Sequence, residues 1–520
     1  MVFGVKITGD ENVQRQCEFK LALLLGGQQP VVAVPASMNG ESALAAIANV
    51  GTGQAAAPLV PLNWRFYKSN RPIQGMLPGL NDYLGLIMED KSLALFSLKD
   101  WKMAGSQQMG DTAAAFMAGD SVLVYRTHTR ELTRYALPSL AVTHRYLIPG
   151  TARLIGLGVG TQPAGPVSLL VEDFVVMKKA AGASPFNNLD QNAAEEAYLA
   201  RGYTQVQRSL LILDKQTLST TSWAAYTSKS EPEQPRRGGG RMLDTTMMNK
   251  ELPAQIPTSD DGRLVSFPTG LVMISPTETV EHVYRGNPLA FNIGHDRPVA
   301  TTPTADRVFS GGQMFLGGLP QQKIGDDSSA VMSRCGNYIT SLVIDSPSAL
   351  IKLYAADDGR PLLNVLGVGA LRLNDNGYGS KGAQVLPMGE KNLLAVLSQD
   401  GSTLQVVNLD LAATCLAANP DSIYVTSHPF PIVAQGQTLD YQVTVSNPNA
   451  VDSYELRDQT PGASIDNKGH FTYQAPAKLS EPVDIYIAIM IRLKNGDALL
   501  HQFSIHANAP KSAKGSKEAK

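Results

Sequence analysis

The chain has 520 residues, a formal net charge of -2 and 17% charged residues, set against 46 glycines and 32 prolines. That length exceeds what one hydrophobic core organises, so two or three domains are expected. The near-neutral balance excludes a whole-molecule attraction to nucleic acid or to an anionic membrane, and the turn-rich composition favours strands over helices.

Three cysteines, Cys17, Cys335 and Cys415, lie far apart with no CxxC among them. They indicate neither a disulfide framework nor a zinc site. Buried free thiols are the plain reading, and a Cys335–Cys415 bond is the alternative. Residues 1–20 carry Asp10, Glu11, Arg15 and Glu18 and no apolar core, so no signal peptide is expected there. The apolar run Leu21–Leu25 is too short to span a membrane.

Residues 1–78 read as a strand-rich opening segment. Phe19–Leu25 and Val31–Ala36 suit strands, Glu41–Val50 suits a short helix, and Pro58, Pro61 and Pro72 keep the chain extended around Trp64–Tyr67. From residue 79 to 418 a rhythm appears, in which an apolar strand, an Asp or polar turn and a Thr/Ser-rich strand recur. Leu84–Leu98 reads as a hairpin turning at Glu89–Ser92, and Ala113–Leu137 as another turning at Gly119–Asp120. Further copies are Arg263–Tyr284, Arg307–Ile324, Tyr338–Leu366 and Asn392–Leu411, and between the copies lie the apolar segments of Leu154–Asp173 and Arg208–Trp223. About seven such units recur at roughly 30–45 residues, the period of a propeller blade. Inner strands buried on both faces read as apolar runs, and a solvated outer strand alternates.

Insertions at 178–207 and 228–258 interrupt the rhythm. Residues 187–201 suit a short helix with Asn187, Asn188 or Asp190 near its N-cap. Residues 228–258 are polar and rich in Gly and Pro, as a mobile loop is. Residues 509–520 form a Lys-rich tail without apolar periodicity, expected to be disordered.

Residues 419–508 carry short alternating strands divided by Gly, Pro and Asn turns, the pattern of an immunoglobulin-like β-sandwich. Asp466-Asn467-Lys468-Gly469 reads as a tight turn in which Gly469 supplies a positive φ, with Ile465, Phe471 and Tyr473 on the core face. The fold class expected is therefore all-β, a propeller followed by a sandwich.

Two resemblances follow from these residues. Residues 79–418 resemble the broad WD40-like and YVTN-like β-propellers, although no Trp-Asp dipeptide marks the repeats. Residues 436–476 resemble the immunoglobulin-like, cadherin-like modules of bacterial surface proteins. Pro461, Gly462, Ile465, Asp466, Gly469 and Pro476 fall on that pattern, and Tyr473 stands at its usual Trp position. The resemblance implies an adhesive or spacing module and points towards a bacterial envelope or extracellular setting, against which the missing leader stands. It does not bring calcium with it. Leu373–Gly377 is similar to a cadherin linker, but Arg372 stands where an acidic ligand belongs, so a polar turn is the reading preferred there.

Little else carries chemistry. Gly156, Gly158 and Gly160 are spaced like a phosphate-binding turn, but the run leads into Gln162-Pro163 and a further strand, not a helix. His295-Asp296-Arg297 is the densest polar triplet and follows an apolar strand, which would set it at a channel mouth. Neighbours on extended chain point to opposite faces, so the triplet suits ligand contact better than acid–base chemistry. Arg236, Arg237 and Arg241 form a basic patch suited to an acidic partner or phosphate. No GxSxG elbow and no metal-ligand spacing occur, so no cofactor and no metal are expected. Three functions fit: a non-enzymatic scaffold binding a protein partner through propeller loops, a hydrolase of lactones or glycans working in the channel, or a structural subunit of an envelope assembly. A glycan or other small ligand is compatible with the first two.

Overall fold

A computed structural model describes residues 57–77, 82–110, 113–149, 152–175, 205–225, 253–267, 270–274, 279–283, 299–310, 313–316, 319–323, 330–333, 335–345, 348–366, 384–398 and 400–508. The structure is all-β apart from one α-helix, Leu411–Ala418, and two single-turn 3₁₀ segments among these residues.

Among the described residues, seven separate sheets precede the C-terminal ones. The first comprises Ile73–Leu77, Tyr83–Met88, Ser92–Ser97 and Lys102–Gln108, each strand antiparallel to the next. The second comprises Ala113–Met117, Ser121–Arg126, Glu131–Ala136 and Ala141–Leu147. The third joins Arg153–Val159, Pro166–Val175, Gln205–Asp214 and Thr220–Ala225, and Ala254–Gln255 lies parallel to its first strand. The fourth holds Leu264–Phe267, Gly270–Ile274 and Thr279–Val283, and the fifth Val299–Thr301, Arg307–Ser310, Gln313–Leu316 and Leu319–Lys323. The sixth is built on Val331–Met332, Tyr338–Asp345, Ser348–Ala355 and Pro361–Leu366. The seventh is built on Gln384–Met388, Leu393–Leu397 and Thr403–Asn408.

The hairpins read from 84–98 and 113–137 are present at those positions. Their burial explains the sequence pattern: Ser92–Ser97 is buried at every residue, whereas Lys102–Gln108 alternates between exposed and half-buried. The recurrent Asp also has a local cause. Asp90 accepts from the Ser92 amide (3.0 Å) and hydroxyl (2.6 Å), Asp261 from the Arg263 amide (2.9 Å) and Ser259 hydroxyl (2.6 Å), and Asp400 from the Ser402 amide (2.9 Å) and Ser398 hydroxyl (2.6 Å). Each carboxylate closes a hairpin by hydrogen-bonding its own backbone two residues on.

Residues 59–77, which the sequence sets apart as an opening segment, hydrogen-bond into these sheets. Ile73–Leu77 is the first strand of the first sheet. Arg65–Lys68 completes the seventh sheet, antiparallel to Thr403–Asn408, and Leu59–Val60 runs parallel to Pro361–Leu366 in the sixth. Several neighbouring sheets pack on one another. Leu93 and Leu95 meet Val122 and Val124 between the first and second, Leu123 and Tyr125 meet Leu157 and Leu169 between the second and third, and Leu353 and Leu363 meet Val396 and Val407 between the sixth and seventh. Leu84, Leu86 and Phe96 of the first sheet then pack on Ala395, Leu397 and Leu404 of the seventh. The last sheet therefore lies against the first.

The helix Leu411–Ala418 follows, a feature the sequence does not announce. Asp410 caps it by accepting from the Ala413 amide at 3.0 Å, and Leu411 and Cys415 anchor it in the core of the sixth and seventh sheets. Two further sheets close the chain, one ordered Ile432–Ala434, Ala498–Asn508, Val483–Leu493, Val451–Leu456, the other Thr438–Gln442, His470–Gln474, Ala463–Ile465. They share one core, with Phe471, Tyr473, Ile489, Ile491, Phe503 and Ile505 at its centre. The turn at 466–469 forms as read: the Asp466 carboxylate accepts from the amides of Lys468 and His470 (both 2.8 Å), and Gly469 takes φ +81°.

Candidate functional site

The densest buried chemistry lies where the C-terminal sheets meet the fifth and sixth sheets. Asp306 and Arg307 enter it from the turn and strand that open Arg307–Ser310. Asp357 comes from the hairpin turn of the sixth sheet, His428 from the segment before Ile432–Ala434, and His501 from the long strand Ala498–Asn508. The side chains of Asp306, Arg307, Asp357, His428 and His501 are 0–8% exposed.

Arg307 is the hub. Its Nη1 pairs with the Asp357 carboxylate, its Nη2 donates to the Gln502 carbonyl, and its Nε faces Asp306 Oδ2 at 3.6 Å. Asp306 also accepts from the hydroxyls of Thr302 and Thr304. His501 Nδ1 donates to Asp357 (3.0 Å), and its Nε2 lies 2.9 Å from Tyr441 Oη, which donates to the Ser427 carbonyl (2.9 Å). His428 Nε2 lies 3.2 Å from the Cys335 carbonyl and 3.1 Å from the Asn337 amide, and its Nδ1 is 3.9 Å from Asp306 Oδ1.

Burial and pairing oppose each other here. Burial would raise the Asp357 carboxyl, but the Arg307 guanidinium and His501 outweigh it and hold the group well below the usual carboxylate range. Burial would lower Arg307, yet Asp357 and Asp306 keep it firmly protonated. For His428 burial prevails over the attraction of Asp306, so its imidazole sits below its ordinary value of 6.5 and favours the neutral form. A cluster this closed to solvent gives a substrate no path. It links the fifth and sixth sheets to the C-terminal strand, and removing either partner of a buried ion pair would strand the other.

Beside it lies a cleft of about 260 Å³ between Leu316 of the fifth sheet and Asp458, Tyr486, Ile487, Gln502 and Phe503 of the C-terminal sheets. Its floor is apolar, as Ile487 and Phe503 are buried, while Tyr486 is half-exposed at its rim.

The site residues expected from sequence, His295, Asp296, Arg297, Arg236, Arg237 and Arg241, lie outside the described residues, as do the helix of 187–201, residues 228–252 of the loop expected at 228–258 and the turn at 373–377; the end of that loop is instead ordered, with Ala254–Gln255 pairing parallel to Arg153–Val159. Gly156 and Gly158 stand on the strand Arg153–Val159 and Gly160 just beyond it, in a run that leads into a second, antiparallel strand. A Cβ at Gly158 would meet Thr258 Oγ1, and one at Gly160 the Asp260 carbonyl, so close packing is the reason for glycine there. Cys335 and Cys415 are free thiols, and burial pushes Cys415 up to about 12. No helix among the described residues is long and apolar enough to cross a membrane.

No family model matches the chain, and no curated protein matches its sequence. Among solved structures it is similar to the β-propeller domain of Cps50 (Swd1) from Myceliophteria thermophila, at 10% identity and a TM-score of 0.36, over 67% of this chain and 100% of that one.

Proposed function

We propose that this protein is a non-enzymatic scaffold that binds a protein partner, built as a seven-bladed β-propeller carrying an immunoglobulin-like β-sandwich packed against it. The observation that carries the reading is that the early strand Arg65–Lys68 completes the last sheet and that this sheet packs on the first, as closure of a ring would require. A ring closed in this way has few free edges and presents hairpin turns and loops at its two ends, where contacts from many blades converge. We place the ring at 59–409, starting it earlier than residue 79 because of those pairings, and the sandwich at 423–508, whose two sheets share one core. The sandwich acts as spacer or adhesion module, held to the ring by the Arg307 cluster. Fold does not name the partner, so the experiment must.

The test is cross-linking of the purified full chain in extract of the source cells, with metal analysis of the same preparation. Lys68, Lys99 and Lys102 are exposed on the ring and Lys468, Lys478 and Lys494 on the C-terminal sheets. One protein recovered reproducibly, with cross-links concentrated on one of these two sets, is the expected result. A stoichiometric divalent metal with no recurrent partner would instead favour a channel enzyme.

A further inference from the structure

The ring and the C-terminal sheets meet through both apolar contact and charge. Ile432 rests against Leu264 and Ala305, with Met273 alongside, and Tyr424 is buried in the core of the sixth and seventh sheets. Each side has a substantial core of its own. Apolar contact is indifferent to pH, whereas buried ionisable groups are not. Any pH response of the joint therefore follows the protonation of the groups inside it.

His428 is the least compensated of these. Its side chain is 7% exposed, and its Nδ1 has no hydrogen-bond partner. Asp306 Oδ2 and Arg307 Nε, in the same cluster, have none either. The described groups that act on it are Asp306 and Arg307 from the fifth sheet, Asp357 from the sixth, and His501 from the C-terminal strand, together with the Cys335 carbonyl and Asn337 from the 335–337 turn. Gly336 leaves no slack: a Cβ there would stand 2.8 Å from His428 Nε2. A proton on His428 would set a second cation beside Arg307 in a space closed to water. The two carboxylates that could balance it are already drawn on: Asp357 by Arg307 and His501, and Asp306 through Oδ1 by the threonine hydroxyls, with its Oδ2 facing Arg307. In the separated state the 426–431 segment would be hydrated and could hold that proton freely.

We propose that His428 is an acid-sensitive latch: neutral, it seats the C-terminal sheets on the fifth and sixth sheets; protonated, it releases them while both parts stay folded. In linkage terms the open form takes up a proton that the closed form resists. The open-to-closed ratio therefore rises as pH falls below 6.5, by at most about tenfold per pH unit for one group.

The experiment is small-angle scattering of the full chain from pH 7.5 to 5.0, with tryptophan emission recorded on the same samples. Trp64, Trp101 and Trp223 all lie before residue 409, so emission reports on the ring alone. The latch requires the radius of gyration to rise below pH 6.5 with emission unchanged. It also requires His428→Gln, which is neutral throughout, to abolish the rise. An unchanged radius down to pH 5.0, an equal rise in His428→Gln, or a rise accompanied by loss of the tryptophan signal would each overturn it. A second reading holds even if the variant is already expanded at pH 7.5. The His428 imidazole resonance of the unaltered chain, assigned by its absence from the variant, must titrate with the midpoint of the expansion, and a displacement of a pH unit or more would also overturn the assignment.

Discussion

Gly401 sits in the hairpin turn of the seventh sheet at φ +68°, and its carbonyl accepts from the Ile73 amide of the first sheet at 2.9 Å. A Cβ there would run into the Ile73 backbone, which cannot step aside as a side-chain tip can. Gly401→Ala should therefore cost about 2 kcal/mol or more through left-handed strain and overlap combined, read as a shifted denaturant midpoint with an unchanged slope. Arg307 is the opposite case, a residue defined by its partners. Replacing it with methionine leaves Asp306 and Asp357 buried without their cation, and roughly 3–5 kcal/mol should be lost in equilibrium unfolding. Replacing Arg307, Asp306 and Asp357 together with apolar residues should recover much of that loss, and failure of the triple variant to do so would show that the charges hold more than one another.

Among elements, Arg65–Lys68 has the largest consequence for its size. Four residues pair with Thr403–Val406, Tyr67 packs on Phe96 with ring centroids 4.7 Å apart, and the Trp101 indole donates to the Phe66 carbonyl at 3.1 Å. Removing residues 1–70 would expose the edge of Thr403–Asn408, a ready template for intermolecular pairing. The shortened chain should melt roughly 5 °C or more lower and scatter light on standing, whereas a chain that stays monomeric with an unchanged melting temperature would count against closure by this strand. The hairpins were legible because each is decided locally. Glu89–Ser92, Gly119–Asp120 and Asp466–Gly469 carry the turn residue and its hydrogen-bond partner within a few positions. The pairing of residue 65 with residue 406 was not, since nothing in WRFY says which distant strand it will complete.

At the scale of the whole molecule, acid is the informative perturbation. The Asp357 carboxyl is depressed in the fold, so its contribution is present above the ordinary carboxylate value of 3.8 and is lost as pH falls below it. The His428 imidazole is depressed too. The unfolded chain then takes up a proton near 6.5 that the folded chain resists, and stability falls as pH drops through that value. Calorimetry should show the melting temperature declining in two stages on acidification, the upper one removed by His428→Gln. A single decline below pH 4, identical in both chains, would mean that His428 contributes nothing to the linkage.

By itself the sequence determined the all-β class, the hairpins with their Asp turns and the core face of the C-terminal strands. Each of these depends on residues within one turn or one strand of each other. Only the tertiary structure decided how the chain closes and where its buried charge lies. His501 reaches Asp357 across 144 residues and Arg307 reaches the Gln502 carbonyl across 195, and the 17% of residues that are charged look alike in sequence whether solvated or enclosed. Which of them are enclosed is set by the packing of separate sheets, a property that no single segment of this chain carries.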